Sequence, residues 1–349
     1  MAMGAGTPDV TIRGAGIFGL SIAWACLLRG ARVRVIDPQG PGAGSSGGLV
    51  GALAPHVPEN WNEKKAFQLD SLLMAESFWA GVAVASGRDP GYLRSGRLQP
   101  LADDRAVEMA QARADGAAAL WRGRASWAVV ATAALDAWRA ESPTGFHIHD
   151  TLSARLHPQQ ACAALAAAVL ARGGEILTEA REQGAVLHAT GAAGLADLSA
   201  SFQRPVGTGV KGQAALLRLD RRAAPQLFCD GVHVVPHADG TIAIGSTSER
   251  AYSDPRGVDE QLEAVIAKAR AAVPALRAAP VIARWAGLRP RAKSRAPLLG
   301  PWPGRPGHFI ANGGFKIGFG MAPKVAEVMA DLLLEGCDAI PQGFHSDQI

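Results

Sequence analysis

Charge is scarce in this chain. Of 349 residues, 19% are Asp, Glu, Lys or Arg, 6% are aromatic, and two are tyrosines. The formal net charge is +4, and the basic residues are scattered except over 284–295. That is a weak electrostatic footprint for a nucleic-acid binder, so no nucleic-acid partner is expected. Cysteine is sparse too. Cys26, Cys162, Cys229 and Cys337 are far apart and form no CxxC, which excludes a disulfide scaffold and fits a reduced, cytoplasmic protein. No run approaches the ~20 apolar residues of a membrane span. The opening MAMGAGTPDVTIRGAG lacks the basic and apolar regions of a signal peptide. What is abundant is apolar residues, at 48%, with 41 glycines and 22 prolines. That excludes a disordered chain and, without a G-x-y period, a collagen-like one. The length suggests about two domains.

The hydrophobic pattern predicts β-turn-α-β at the start: a strand over 10–12, a helix over 17–29 and a strand over 33–36. A Gly/Ser/Pro-dense loop follows, 38–51. Helices are expected over 64–86, 103–122, 158–172, 258–272 and 323–335, the last with Pro323 in its first turn. Strands are expected over 97–101, 175–177, 185–189, 213–219, 232–236, 241–245 and 308–311, with Asp239-Gly240 a hairpin turn. The βα units lie at both ends and in the middle. That predicts two domains interleaved in sequence.

Gly14-x-Gly16-x-x-Gly19 sits between a strand and a helix. Its glycines permit a tight turn, approach of a pyrophosphate and close helix–strand packing. The phosphates then meet the helix N-terminus through the backbone of Ile17 and Phe18. Asp37 ends the second strand, where an acid accepts hydrogen bonds from a ribose, and Pro38 follows it. The motif alone does not separate FAD from NAD. Three further segments favour FAD: Gly44-Ser45-Ser46-Gly47-Gly48 with Leu49, then Ala189-Thr190-Gly191, and Gly313-Gly314-Phe315-Lys316-Ile317-Gly318 before the last helix.

These pieces, with VKGQ (210–213), VVPHADGTIAIGSTSE (234–249), WAGLRP (285–290) and APLLG (296–300), resemble the D-amino-acid oxidase superfamily of flavoproteins. The glycine oxidase and sarcosine oxidase branch is the most similar. The resemblance implies an α/β fold. A discontinuous Rossmann-like FAD-binding domain (1–75, 148–206 and 285–349) would join an α+β substrate domain with a large mixed sheet (76–147 and 207–284). It also implies non-covalent FAD, since Cys26 does not match a flavin-linking cysteine. The implied reaction is oxidation of the C–N bond of a small amine or amino acid. Hydride passes to flavin N5, the imine hydrolyses, and O2 or another acceptor takes the electrons. A dehydrogenase using a quinone or protein acceptor, a flavin-binding subunit without turnover, and a homo-oligomer all stay open.

The resemblance places Arg289 of WAGLRP at a substrate carboxylate, which a guanidinium holds through two parallel bonds. Lys316 stands where relatives carry an arginine, and His233 near where they carry a tyrosine. His56, after the glycine loop, is expected beside the flavin. His147 and His149 share a strand face, but no third ligand is evident and no metal is expected. Trp61 and Trp285 are candidates to line the pocket. Residues 250–257, with Tyr252, are a candidate lid.

Overall fold

A computed structural model describes residues 7–348. The start of the segment read for a leader, residues 1–6, and Ile349 lie outside the described residues. The elements begin with β1 (Val10–Arg13), α1 (Ile17–Leu28), β2 (Val33–Ile36), β3 (Ala52–Leu53), α2 (Glu63–Ser86), β4 (Arg97–Pro100) and α3 (Asp104–Leu120). Next come β5 (Trp127–Ala131), β6 (Phe146–Asp150), β7 (Ala154–Arg155), α4 (Pro158–Ala171), β8 (Glu175–Leu177), β9 (Ala185–His188) and α5 (Gly191–Ser201). Then follow β10 (Gly207–Arg218), β11 (Gln226–Cys229), β12 (Val232–Pro236), β13 (Thr241–Gly245) and α6 (Glu260–Ala272). The last are β14 (Val281–Ala292), β15 (Leu298–Pro301), β16 (His308–Asn312) and α7 (Gly318–Glu335).

β1 is the centre of the first sheet, whose order is β15-β16-β9-β1-β2-β8. It runs parallel to both neighbours, with Val10 opposite Val33 and Ala185. Such a strand is covered on both faces and needs apolar residues throughout. Val10 and Ile12 are fully buried, and so is Thr11, whose hydroxyl donates to the Gln183 carbonyl. Arg13 is the exception. It lies at the strand's end, half out in solvent, and pairs with Glu182. α1 is buried on nearly all sides, which its near-continuous apolar sequence allows, and packs against α4 and α7.

The second sheet is larger, in the order β14-β10-β13-β12-β11-β4-β6-β5. All its pairs are antiparallel except β11 with β4. α6 covers one face through Leu262, Ile266 and Ala269. α5 touches β10 and β14 of this sheet and β16 of the first, so it bridges the two.

Helix starts follow their capping residues. Asp103 accepts from the Ala106 N–H at 2.7 Å, and Asn62 from the Lys65 N–H at 3.1 Å. Two expectations change. The last helix begins at Gly318, so Pro323 lies inside α7 and not in its first turn. The missing proline N–H leaves the Phe319 carbonyl without its helical donor, and buried packing on α2 and α1 holds the helix regardless. β10 starts six residues before the expected strand, because its first half pairs with β14, a strand that Gly and Pro in WAGLRPRA concealed. α5 was also hidden, beginning at the very glycine that reads as a strand end.

Candidate functional site

The turn from β1 to α1 is built as the glycine spacing demands. Gly14 has φ +104°, and a β-carbon there would overlap the Ala189 carbonyl. A β-carbon at Gly19 would strike the Gly14 carbonyl, so the same turn requires both glycines. The side chains of Ile17 and Phe18 are buried in the core, so only their backbone is available to a ligand. The Ile17 N–H donates to Ser46 Oγ at 3.0 Å. That bond brings the Ser45–Gly47 turn to the positive end of α1. The Ser46 hydroxyl proton remains for an anion there. Gly44 is exposed with open space around it, and Ser45 is half-buried.

Asp37 is tied into the same turn. Its two oxygens accept from the Ala15 N–H at 2.8 Å and the Gln39 N–H at 2.9 Å. Each oxygen keeps a lone pair for a ribose hydroxyl. Pro38 next to it is exposed. Gly48 lies against the Trp285 ring, while Leu49 is buried with Ala214, Val235 and Ala243. The glycine loop therefore rests on the second sheet. Trp61 instead packs at the edge of the main core.

Thr190 caps α5 and Gly191 has φ +61°. Asn312 links this end to the last loop. Its Nδ2 donates to the Gly191 carbonyl at 2.9 Å, and its Oδ1 accepts from the Gly313 N–H at 2.8 Å. The loop then turns through Gly314, packed on Phe18, to Phe315, whose N–H donates to the Pro290 carbonyl at 3.0 Å. Ile317 is the N-cap of α7, so the amides at Gly318 and beyond open the helix without helical partners. Arg291 and Lys316 both lie over the Phe315 ring, 5.8 and 5.7 Å from its centroid.

Arg289 stands beside this loop. Its guanidinium donates to Ser246 Oγ at 2.6 Å and to the Thr247 carbonyl at 3.2 Å. Burial pushes its pKa down to about 10, and the Glu249 charge opposes that. It stays cationic at neutral pH. Lys316 is exposed overall, yet crowding around its amine and then the Arg289 charge lower its pKa. His233 is pushed down to about 4 by burial, then by Arg97 and Lys316, and its Nδ1 has no partner. The structure thus brings Arg289, Lys316 and His233 together. His56 is held by a different element: its backbone N–H and ring Nδ1 both meet Gln68 Oε1 on α2. Burial lowers its pKa.

Sequence reasoning missed Arg97, Gly212 and Asn312. Arg97 pairs with the buried Asp150 at 3.0 Å and faces the Phe228 ring, which itself meets the His233 ring tilted at 41° with centroids 4.6 Å apart. Gly212 pairs with Gly287 on β14, and the Arg289 guanidinium, two residues along, lies over it. VKGQ and STSE contained a signal for the frame around them. Gln213 Nε2 donates to Glu249 and Asp259, and Lys211 Nζ donates to Asp259 at 3.0 Å. His147 is a satisfied core histidine, bonded to the Ala140 carbonyl and Thr132. Cys26 is buried packing, its thiol pushed up to about 12 by burial. Residues 250–257 are tethered through Tyr252 to the Gly209 carbonyl and through Arg256 to Gln39.

A strand–glycine turn–helix with a closing loop at a second helix start, roofed by a mixed sheet, defines a dinucleotide-dependent oxidoreductase fold. The chain belongs to the FAD dependent oxidoreductase family, whose signature matches residues 9–332. FAD is that family's cofactor, and the open, amide-rich turn at Gly14–Gly19 with Ser46 fits its pyrophosphate. The chain is 36% identical to a glycine oxidase of Pseudomonas putida over 125 residues, 36% of this chain and 34% of that protein. It is 25% identical to a bifunctional protein ThiO/ThiG of Nostoc sp. over 379 aligned residues, covering 97% of this chain and 55% of that one. The alignments thus span between about a third and about half the length of these curated relatives. The crystal structure of glycine oxidase from Geobacillus kaustophilus superposes with a TM-score of 0.81 at 22% identity, covering 96% of each chain, a likeness of fold. No helix among the described residues is long and apolar enough to cross a membrane.

Proposed function

We propose that this protein oxidises the C–N bond of a small amine or amino acid, as its glycine oxidase relatives are named for doing. The observation that carries this reading is Arg289. A guanidinium fixed by Ser246 and the Thr247 carbonyl, next to Lys316 and an uncharged His233, is a ready seat for a carboxylate. FAD, when bound without a covalent link, supplies the acceptor for the hydride that leaves the carbon next to nitrogen as the C–N bond becomes C=N. The chain's own residues orient the substrate. Arg289 takes the carboxylate, and Lys316 adds positive potential beside it. The neutral, partnerless Nδ1 of His233 is suited to an amine N–H or a water.

The two sheets support a division into a cofactor part and a substrate part. The expected cuts at 75/76, 147/148 and 284/285 fall within α2, β6 and β14, so the division follows the sheets more closely than those positions. The four cysteines are all unpaired, which supports a reducing, cytoplasmic setting.

The test is the visible spectrum of the purified protein, followed by anaerobic additions of glycine, sarcosine, D-amino acids and secondary amines. Bleaching of a yellow protein by one of them supports the proposal and names the substrate class. A colourless protein that takes up no FAD sinks it. Peroxide formation against dye reduction then separates oxygen from another electron acceptor.

A further inference from the structure

Two histidines and an aspartate meet at the turn joining β12 to β13, away from Arg289. His237 leaves the end of β12, Asp239 sits in the turn, and His157 precedes α4, about eighty residues earlier. One ligand atom from each lies within 4.8 Å of the others. The two imidazole centroids are 4.4 Å apart, and His157 Nε2 is 3.8 Å from Asp239 Oδ2. His237 has no solvent exposure, and its Nε2 has no hydrogen-bond partner. A buried ring nitrogen without a partner is costly unless something occupies its lone pair.

The surrounding bonds set that lone pair free. Thr241 Oγ1 donates to Asp239 Oδ1 at 2.7 Å, so it accepts from His237 Nδ1–H at 3.2 Å. The proton is thereby placed on Nδ1 and Nε2 is left bare. The opposite tautomer would need the Thr241 hydroxyl proton for Nδ1 and cost Thr241 its bond to Asp239. His157 Nδ1 caps α4 by accepting from the Gln160 N–H at the long distance of 3.5 Å, a contact that gives way when an ion takes Nε2 and the proton moves to Nδ1. Asp239 Oδ1 is already held by the Thr241 N–H and hydroxyl, so Oδ2 is the oxygen available. Hydrogen bonds behind the ligand atoms are what orient metal-binding side chains. Arg155 adds a nearby positive charge, which Asp89 and Asp239 offset.

We propose that His157, His237 and Asp239 bind one divalent transition-metal ion, which clamps the β12–β13 turn to the start of α4. Two imidazoles and one carboxylate, with a fourth position open to solvent at the exposed Asp239, are a ligand set for Zn2+. Because the ligands come from both sheets' surroundings, the ion would hold the glycine loop's neighbour, Leu49, against the hairpin that packs on it.

The experiment uses the purified flavoprotein, stripped with a chelator, incubated with ZnCl2 and passed over a desalting column. Zinc is counted by mass spectrometry, and binding is followed by calorimetry and thermal melting. The expected result is about one Zn2+ per chain and a raised Tm. His237→Ala and Asp239→Asn should each weaken binding at least about tenfold while leaving the flavin spectrum unchanged. If His237→Ala fails to fold, Asp239→Asn decides alone, since that carboxylate is exposed. No zinc retained by the unsubstituted chain, or zinc retained equally by Asp239→Asn, overturns the proposal. The second outcome would assign the ion to another site such as the exposed Cys337 thiol.

Discussion

Gly212 and Arg289 occupy facing strands, and the guanidinium of Arg289 fills the space where a β-carbon of residue 212 would be. The arginine reaches Ser246 and the Thr247 carbonyl only by crossing that gap. Gly212→Ala should therefore displace the guanidinium without emptying the cofactor site. The expected outcome is a KM raised at least about tenfold, the scale of a lost charge-assisted hydrogen bond, with the flavin absorbance per chain unchanged. Steady-state kinetics beside a visible spectrum checks it. An unchanged KM would show that Arg289 is not the carboxylate anchor.

Arg289→Lys keeps the charge and loses the planar fork. It should weaken a carboxylate substrate by about 10–100-fold, because two parallel bonds become one point contact. An uncharged amine should be affected far less. Comparing KM for an amino acid and for the matching amine separates the two cases.

Gly14→Ala tests the proposed cofactor turn directly. At φ +104°, with the Ala189 carbonyl in the way, an added methyl group forces β1 and β9 apart at the turn. The expected result is loss of bound FAD, measured by absorbance after desalting, and a lower Tm. Ser46→Ala is the milder counterpart. It leaves the Ile17 N–H without its partner and should cost about 1–3 kcal/mol in cofactor affinity or stability.

Stability should fall as pH drops from about 6.5 towards 4. His188 and His233 are both pushed down to about 4 in the folded chain, by burial first, against an ordinary value of 6.5. Between those limits the unfolded state binds protons that the folded state refuses, so stability rises with pH and is lost on acidification. Around His233 the charges are Arg97 and Lys316. Around His188 they are His308, Arg305, Glu182 and Arg13. Replacing His233 with Gln should reduce the proton uptake on unfolding by about one in that window, read from the pH dependence of denaturant midpoints. Lys316→Met should raise the His233 pKa only partway, since burial is the larger cause, and NMR titration would show it.

Asn312→Ala removes the bond that ties Gly191 to the last loop and frees the Gly313 N–H. The expected cost is about 1–3 kcal/mol of stability in a chemical denaturation curve, with weaker FAD retention.

The sequence by itself determined the glycine turn between β1 and α1. Gly14, Gly16, Gly19 and Asp37 lie within one strand–helix–strand unit, and their places follow from local geometry, which short-range spacing encodes. It also determined most helices and strands, because alternation and capping residues such as Asp103 are local signals. The tertiary structure decided the rest. Arg289, Lys316, His233 and Arg97 come from separate elements, so only the strand order β14-β10-β13-β12-β11-β4 and the docking of the last loop bring them together. The long β14 was concealed because its glycines and prolines are tolerated by the sheet pairing and not by propensity. Pro323 entered a helix interior because burial against α1 and α2 outweighs one lost hydrogen bond. The His157–His237–Asp239 group could not be read along the chain at all. Its members are joined only where the β12–β13 turn meets the start of α4.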